Sequence, residues 1–463
     1  MKRMTVGISS RIDVSPTGIV RSRPWARRHP RLLLVAFGAV AALAAWLRIP
    51  PIARDTLWAE DGRNFLQDAI DRGPVASLFT AYAGYLHTVP RMIASVVESL
   101  VPVSGWALGM TAGSCIVAGV LAATVFVATR GLIDWMPARI AIASLTVLAP
   151  LAPREVLGNA ANLHSVFLWA LFWIALSRPR TRASVVGLSI VALLGALTEV
   201  QALFLLPLLL FRWRDRRRWL VRGMLLLGTV TQLTITLLFP RAPSPHSPNT
   251  PLSIAYAYLI NAVMPLGVRQ SAIGPVLEAV GPLVGLLLLI PLGLAAFVVI
   301  RRGTATERFI VIALVVGSVT LLCASLIANP NTFYDYAEMT PRQLAGVWLT
   351  RYGVVPSSML AAILPIGLGV ALRIRRADRA RVVDARSIVL AVFSCLLLVS
   401  LAVQFIPDGT RRSGGPAWQP QIAAAVKNCE SMPPGSRVIF RETIDWSVAV
   451  PCSLLTSNTT PRR

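Results

Sequence analysis

Between the first two long apolar runs lies the segment Asp55-Thr56-Leu57-Trp58-Ala59-Glu60-Asp61-Gly62-Arg63-Asn64-Phe65, in which two carboxylates stand side by side. Adjacent acids can do three things. One of them can take a proton from a hydroxyl as a general base; the pair, with water, can hold a hard divalent cation; or they can cap the helix that follows, because carboxylates suit a helix N-terminus. Glu60 and Asp61 are the candidate catalytic residues, with the choice between them open. A divalent ion at that pair is the one cofactor these residues suggest, and nothing in the sequence fixes it. Trp58, just ahead of them, is a candidate substrate contact.

Four further clusters have the residue types of a binding site. Tyr82, Gly84, Tyr85, His87 and Arg91 form an aromatic and basic set in the same segment. The guanidinium of Arg91 can bind a phosphate through a fork of donors, or the set can be an interfacial anchor. Arg154, Glu155, Asn159, Asn162 and His164 run directly into an apolar stretch, and polar groups that penetrate a span usually face a cavity or a partner. Glu199 and Gln201 interrupt the apolar run from Ser184 to Phe211 and belong to the same layer. The segment 329–352 combines Tyr334, Asp335, Tyr336 and Trp348, residues suited to stacking on sugars and bonding their hydroxyls, and leads to Arg351-Tyr352, a second phosphate candidate. The chain has no Gly-rich phosphate loop with Lys, no paired-His metal motif and no credible Ser-His-Asp set.

The elements that must position these residues are membrane helices. A chain of 463 residues that is 55% hydrophobic and 14% charged, with a mean hydropathy of +0.64, has more apolar side chain than one soluble core uses. Repeated charge-poor stretches of about 17 to 25 residues match a hydrocarbon slab about 30 Å thick. The formal charge of +24 comes from Arg in short loops between those stretches, the positive-inside pattern, and argues against nucleic acid as a partner.

Placing the basic loops in the cytoplasm gives about eleven spans: 32–48, 105–129, 135–152, 161–177, two short helices within 184–211, 219–239, 279–300, 308–328, 353–373 and 387–406. Residues 184–211 are read as a hairpin with Glu199 at its outer turn, because a single span would export the Arg212–Arg218 cluster. Part of 252–268 is a candidate re-entrant segment, and a helix in 85–103 is expected to lie in the interface. The fold class expected is therefore all-α and polytopic. A basic N-terminus, 1–31, lies inside and is followed by an uncleaved anchor. The transmembrane domain, 32–406, carries a long extracytoplasmic loop, 49–104, and a small α/β unit, 407–463, lies outside. An oxidising exterior and so small a core predict a Cys429–Cys452 disulfide. The expected location is the plasma membrane of a bacterium.

An acidic pair soon after the first span, followed by a helical stretch, on a polytopic chain with long outer loops, resembles the first luminal loop of the GT-C superfamily of glycosyltransferases. The motif here is Glu60-Asp61-Gly62 rather than a strict Asp-X-Asp or Asp-Glu. The resemblance implies transfer of a sugar, such as arabinose or mannose, from a polyprenyl-phosphate donor to an envelope glycan, lipid or protein acceptor. With a phosphate leaving group, the protein must mainly deprotonate the acceptor and orient the sugar. The competing classes are a transporter or flippase of lipid-linked precursors, which calls for ionisable groups deep in spans, and a non-catalytic envelope-assembly protein.

Overall fold

A computed structural model describes residues 30–377 and 385–457. The basic N-terminal stretch 1–29 and residues 378–384 of the last basic loop lie outside the described residues. The described residues are mostly helical, with one antiparallel two-stranded ribbon among them, Arg437–Arg441 on Ser447–Pro451.

Among the described residues seven helices are long and apolar enough to cross a membrane: Val103–Ala128, Met136–Glu155, Arg216–Leu238, Pro282–Arg302, Ala305–Ala328, Arg351–Ile374 and Ala385–Val403. The remaining expected spans correspond to shorter apolar helices, Arg31–Leu47, Leu163–Leu176, Arg182–Ala196 and Val200–Leu210. The expected eleven thus reduce to seven full-length helices plus shorter ones. A 14-residue helix such as Leu163–Leu176 rises about 21 Å and cannot bridge a slab of about 30 Å by itself. Every residue of Leu163–Leu176 is buried, and so is nearly all of the most apolar stretch of Arg351–Ile374, so these two form the centre of the bundle. The others wrap them and show apolar side chains such as Leu287, Val316 and Leu398 outward.

The two ends of the bundle differ in chemistry. At one end guanidinium groups cover the carbonyl ends of helices, where the macrodipole is negative. Arg139 donates to Phe126 O (2.8 Å), Arg218 to Leu176 O and to Ser177 O (3.1 Å), and Arg222 to the carbonyls of Ala175, Leu209 and Phe211. Arg373 forks onto Glu307 at 2.8 and 2.7 Å, and Glu307 itself closes a capping box with Thr304. At the other end Arg48 does the same work: fully buried, it donates to carbonyls of Val147, Ala149, Pro150, Gln404 and Phe405. That second end carries the 49–104 segment and the tail.

Within 49–104 the chain forms a π-helix, Asp61–Leu66, then Gln67–Arg72 and the amphipathic Thr88–Leu100. The last of these buries Val89, Ile93 and Val97 and exposes Met92, Val96 and Leu100. The tail folds back onto this segment. Trp418 is buried, stacks on Trp106 at 6.3 Å and donates to Val103 O, while its helix, Trp418–Cys429, has Gln419 N bonded to Asp55 Oδ2. Thr443 bonds Leu57 O and Ala449 N bonds Gln67 Oε1. Cys429 and Cys452 are joined with Cα atoms 5.4 Å apart.

Candidate active site

The two carboxylates have different surroundings. Asp61 is buried, and each of its oxygens accepts a backbone N–H, from Ala160 at 2.9 Å and from Ala161 at 2.8 Å. Those amides belong to the turn 157–162, which Asn159 and Asn162 stiffen by donating their side-chain amides to Glu155 O. Burial pushes the Asp61 carboxyl up to about 7, against the pull of the two amides and of Arg412. Glu60 is only partly buried, and its Oε2 has no hydrogen-bond partner. A buried acceptor without a donor is costly, and this one has unoccupied capacity for a ligand hydroxyl.

Beside Glu60 is a tight turn that aims two aromatic rings. Tyr82 and Tyr85 exchange both backbone hydrogen bonds (3.0 and 3.2 Å) across Ala83 and Gly84, both at positive φ. This is a mirror-type turn, whose positive φ glycine adopts freely and Ala83 holds at a cost. A side chain at Gly84 would also press on Arg241, 3.2 Å away. The rings of Tyr85 and Tyr82 pack against His87 at 4.0 and 5.6 Å, and Phe65 packs at 5.3 Å. Neither ring nitrogen of His87 has a well-formed partner. Burial, then His164 and Arg91, hold the imidazole well below its ordinary range, outweighing the nearby Tyr82 carbonyl. Burial and the neighbouring Glu199 likewise raise the Tyr85 phenol well above its ordinary value.

His164, at the start of its buried helix, places Nδ1 2.6 Å from Glu199 Oε2. The other oxygen of Glu199 accepts Gln201 N at 2.7 Å and so caps Val200–Leu210. Glu199 stands at the break between two short helices, and Thr88 N bonds Leu197 O, so the break meets the 49–104 segment. Arg351 pairs with Glu155, lies over the Tyr352 ring at 5.2 Å, keeps Nε without a partner and is within electrostatic reach of Glu60 and Tyr85.

Of these residues Tyr82, Ala83, Gly84, Arg241 and Tyr352 line a cleft of about 1210 Å³, together with Tyr334, His246 and Asn331. Glu60 is not in its lining but is within electrostatic reach of Tyr82.

Glu60, Tyr85, His87, His164, Glu199, Arg351 and Tyr352 are thus gathered together. Three other candidates serve underneath. Arg91, a candidate phosphate ligand or interfacial anchor from sequence, is buried, paired with Asp68 at 2.8 Å and set over Phe65. Asn162 holds the turn that grips Asp61. Trp58 is buried, and its Nε1 is unpartnered.

One member has no signal in the sequence. Glu442, from the tail, lies over Gly62, where an added Cβ would fall 2.1 Å from its Oε1, and accepts Arg63 N at 3.3 Å. Burial, with the adjacent charges of Asp61 and Glu60, pushes its carboxyl up to about 9. Only its position 379 residues away, brought in by tail docking, makes it part of the site. Among the described residues no three of His, Cys, Asp and Glu converge as a metal-binding group.

No protein-family model, curated protein or solved structure matches this chain.

Proposed function

We propose that the chain is a membrane glycosyltransferase of GT-C type, which moves a sugar from a polyprenyl-phosphate donor to an envelope glycan, lipid or protein acceptor on the extracytoplasmic side of the plasma membrane. The observation that carries this reading is Glu60. A partly buried carboxylate with an unoccupied oxygen stands within electrostatic reach of Tyr82, which lines an aromatic cleft, and of a guanidinium with an unoccupied N–H.

In this reading Glu60 accepts the proton of the acceptor hydroxyl while that oxygen bonds to the anomeric carbon. The bond from that carbon to the phosphate oxygen breaks, and the phosphate leaves with the electron pair. Arg351 faces the phosphate charge, which is the interaction that grows as the bond breaks. Tyr82, Tyr334 and Tyr352 offer ring faces to the sugar, and His164, oriented by Glu199, offers an imidazole to its hydroxyls. Asp61 fixes the turn 157–162 against the segment that bears Glu60 and is a positioning residue. A divalent ion, if bound at this acidic group, would add charge stabilisation to the phosphate, and no step above depends on one.

The transporter reading draws on Glu199, but that residue is taken up as a helix cap and His164 partner, a role that needs no translocated ion. The test is Glu60→Gln in lipid with a polyprenyl-phosphate sugar. Transfer should fall by about 10²- to 10⁴-fold, the usual contribution of a general base, while donor affinity is kept. Unchanged transfer by a folded variant would remove Glu60 from the mechanism.

A further inference from the structure

At the end of the bundle opposite the site, a cavity of about 1300 Å³ opens between the helices Pro30–Leu47, Trp106–Ala128 and Arg182–Ala196. Its walls are apolar and small: Val35, Ala39, Ile116, Val120 and Val191 face it, with Gly187 on the third wall. Its rim is the reverse. Arg31, Arg130, Arg178, Arg180 and Arg182 ring one end, and no carboxylate lines the space.

Of the five, only Arg178 has an ion-pair partner among the described residues, Asp215 at 2.9 Å. Arg130 and Arg180 also stand within electrostatic reach of Arg139, so like charges are held together without compensation. The helix Arg182–Ala196 starts at this rim and turns the positive end of its dipole toward it. An apolar slot at membrane depth under a crowd of guanidiniums, of which Arg178 alone has an ion-pair partner among the described residues, is complementary to one kind of molecule, an acyl chain attached to a phosphate.

We propose that this groove is a binding site for an anionic glycerophospholipid of the surrounding bilayer, with its acyl chains between the three helices and its phosphate on Arg130, Arg180 and Arg182. The site is separate from the cleft lined by Tyr82, Tyr334 and Tyr352 and does not depend on the glycosyltransferase reading. The bound lipid would fill the slot and neutralise the rim, joining the first helix to the rest of the bundle.

The test is native mass spectrometry of the whole purified chain after equilibration in mixed micelles of phosphatidylglycerol and phosphatidylcholine in equal parts. Two variants accompany the wild type. The triple Arg130→Gln/Arg180→Gln/Arg182→Gln removes the headgroup contacts. Gly187→Trp fills the slot from a position where an added Cβ meets nothing, so the fold is kept even if the triple variant fails to insert. The wild type should retain phosphatidylglycerol in preference to phosphatidylcholine. Retention should fall roughly fivefold per guanidinium removed, from about 1 kcal/mol for each basic group near an anionic lipid, and should also fall in Gly187→Trp. Equal retention of the two lipids by the wild type, retention unchanged in Gly187→Trp, or a second copy of the chain in place of lipid would overturn the proposal.

Discussion

The difference between Glu60 and Asp61 is decided by what their oxygens already hold. Both oxygens of Asp61 are used by amides from Ala160 and Ala161, so Asp61→Asn replaces an acceptor by an NH₂ group that faces an N–H. The buried amide left without a partner should cost about 1–3 kcal/mol. We expect Asp61→Asn to lower thermal stability and transfer together, and Glu60→Gln to lower transfer with melting unchanged. Equal melting losses in the two variants would contradict the division of roles. Glu442 supplies a pH test. Its folded carboxyl sits at about 9, above the ordinary 4.5, so the folded state holds a proton that the unfolded state releases. Its contribution is complete below about 4.5 and is lost as pH rises toward 9. The melting temperature should therefore fall between pH 7 and 9, a window above the Asp61 titration near 7, and Glu442→Gln should flatten that fall. A slope that survives in Glu442→Gln would assign it to another group.

The contact between the π-helix Asp61–Leu66 and the tail is an interaction between elements, and Gly62 is where they come closest. A methyl group there would overlap the Glu442 carboxyl, so Gly62→Ala should destabilise by about 1–3 kcal/mol as overpacking does. Adding Glu442→Ala should recover much of the loss, because the side chain in the way is gone. Limited proteolysis of the tail reads both, and purely additive losses would show that the two residues are not in contact.

Legibility at this scale followed sequence distance. The polar break at Thr198-Glu199 and the polar start of Leu163–Leu176 could be read because ionisable groups inside apolar runs are expensive. The helix and strand of the tail could be read from local pattern. Glu442 could not, since it reaches Gly62 only through docking by Trp418 and Thr443. The burial of Arg91 is not legible in the sequence for a related reason. Its partner Asp68 lies 23 residues earlier, and an Arg on an amphipathic helix looks the same in sequence whether it faces water or a buried carboxylate.

For the molecule as a whole, hydropathy marks where apolar helices lie but not how far each one reaches. Leu163–Leu176 and Val200–Leu210 are as apolar as any full-length helix, and they stop short because Arg222 gathers the carbonyls of Ala175, Leu209 and Phe211 at one end and the polar layer of His164 and Glu199 occupies the other. The two faces of the bundle give a topology prediction. Single cysteines at Phe79 and Ile439, exposed on the site face, should label from outside intact cells, and cysteines at Trp213 and Ile300 on the basic face only after permeabilisation. The reverse pattern would put the site in the cytoplasm and end the envelope reading.

Transfer from a lipid-linked donor at Glu60 is best tried with the purified wild-type chain in lipid, offered polyprenyl-phosphate sugars and nucleotide sugars in parallel with an envelope-derived acceptor. Binding and transfer are expected from a polyprenyl-phosphate sugar and none from a nucleotide sugar, with transfer abolished and donor binding kept in Glu60→Gln. Failure to bind any polyprenyl-phosphate sugar would contradict it.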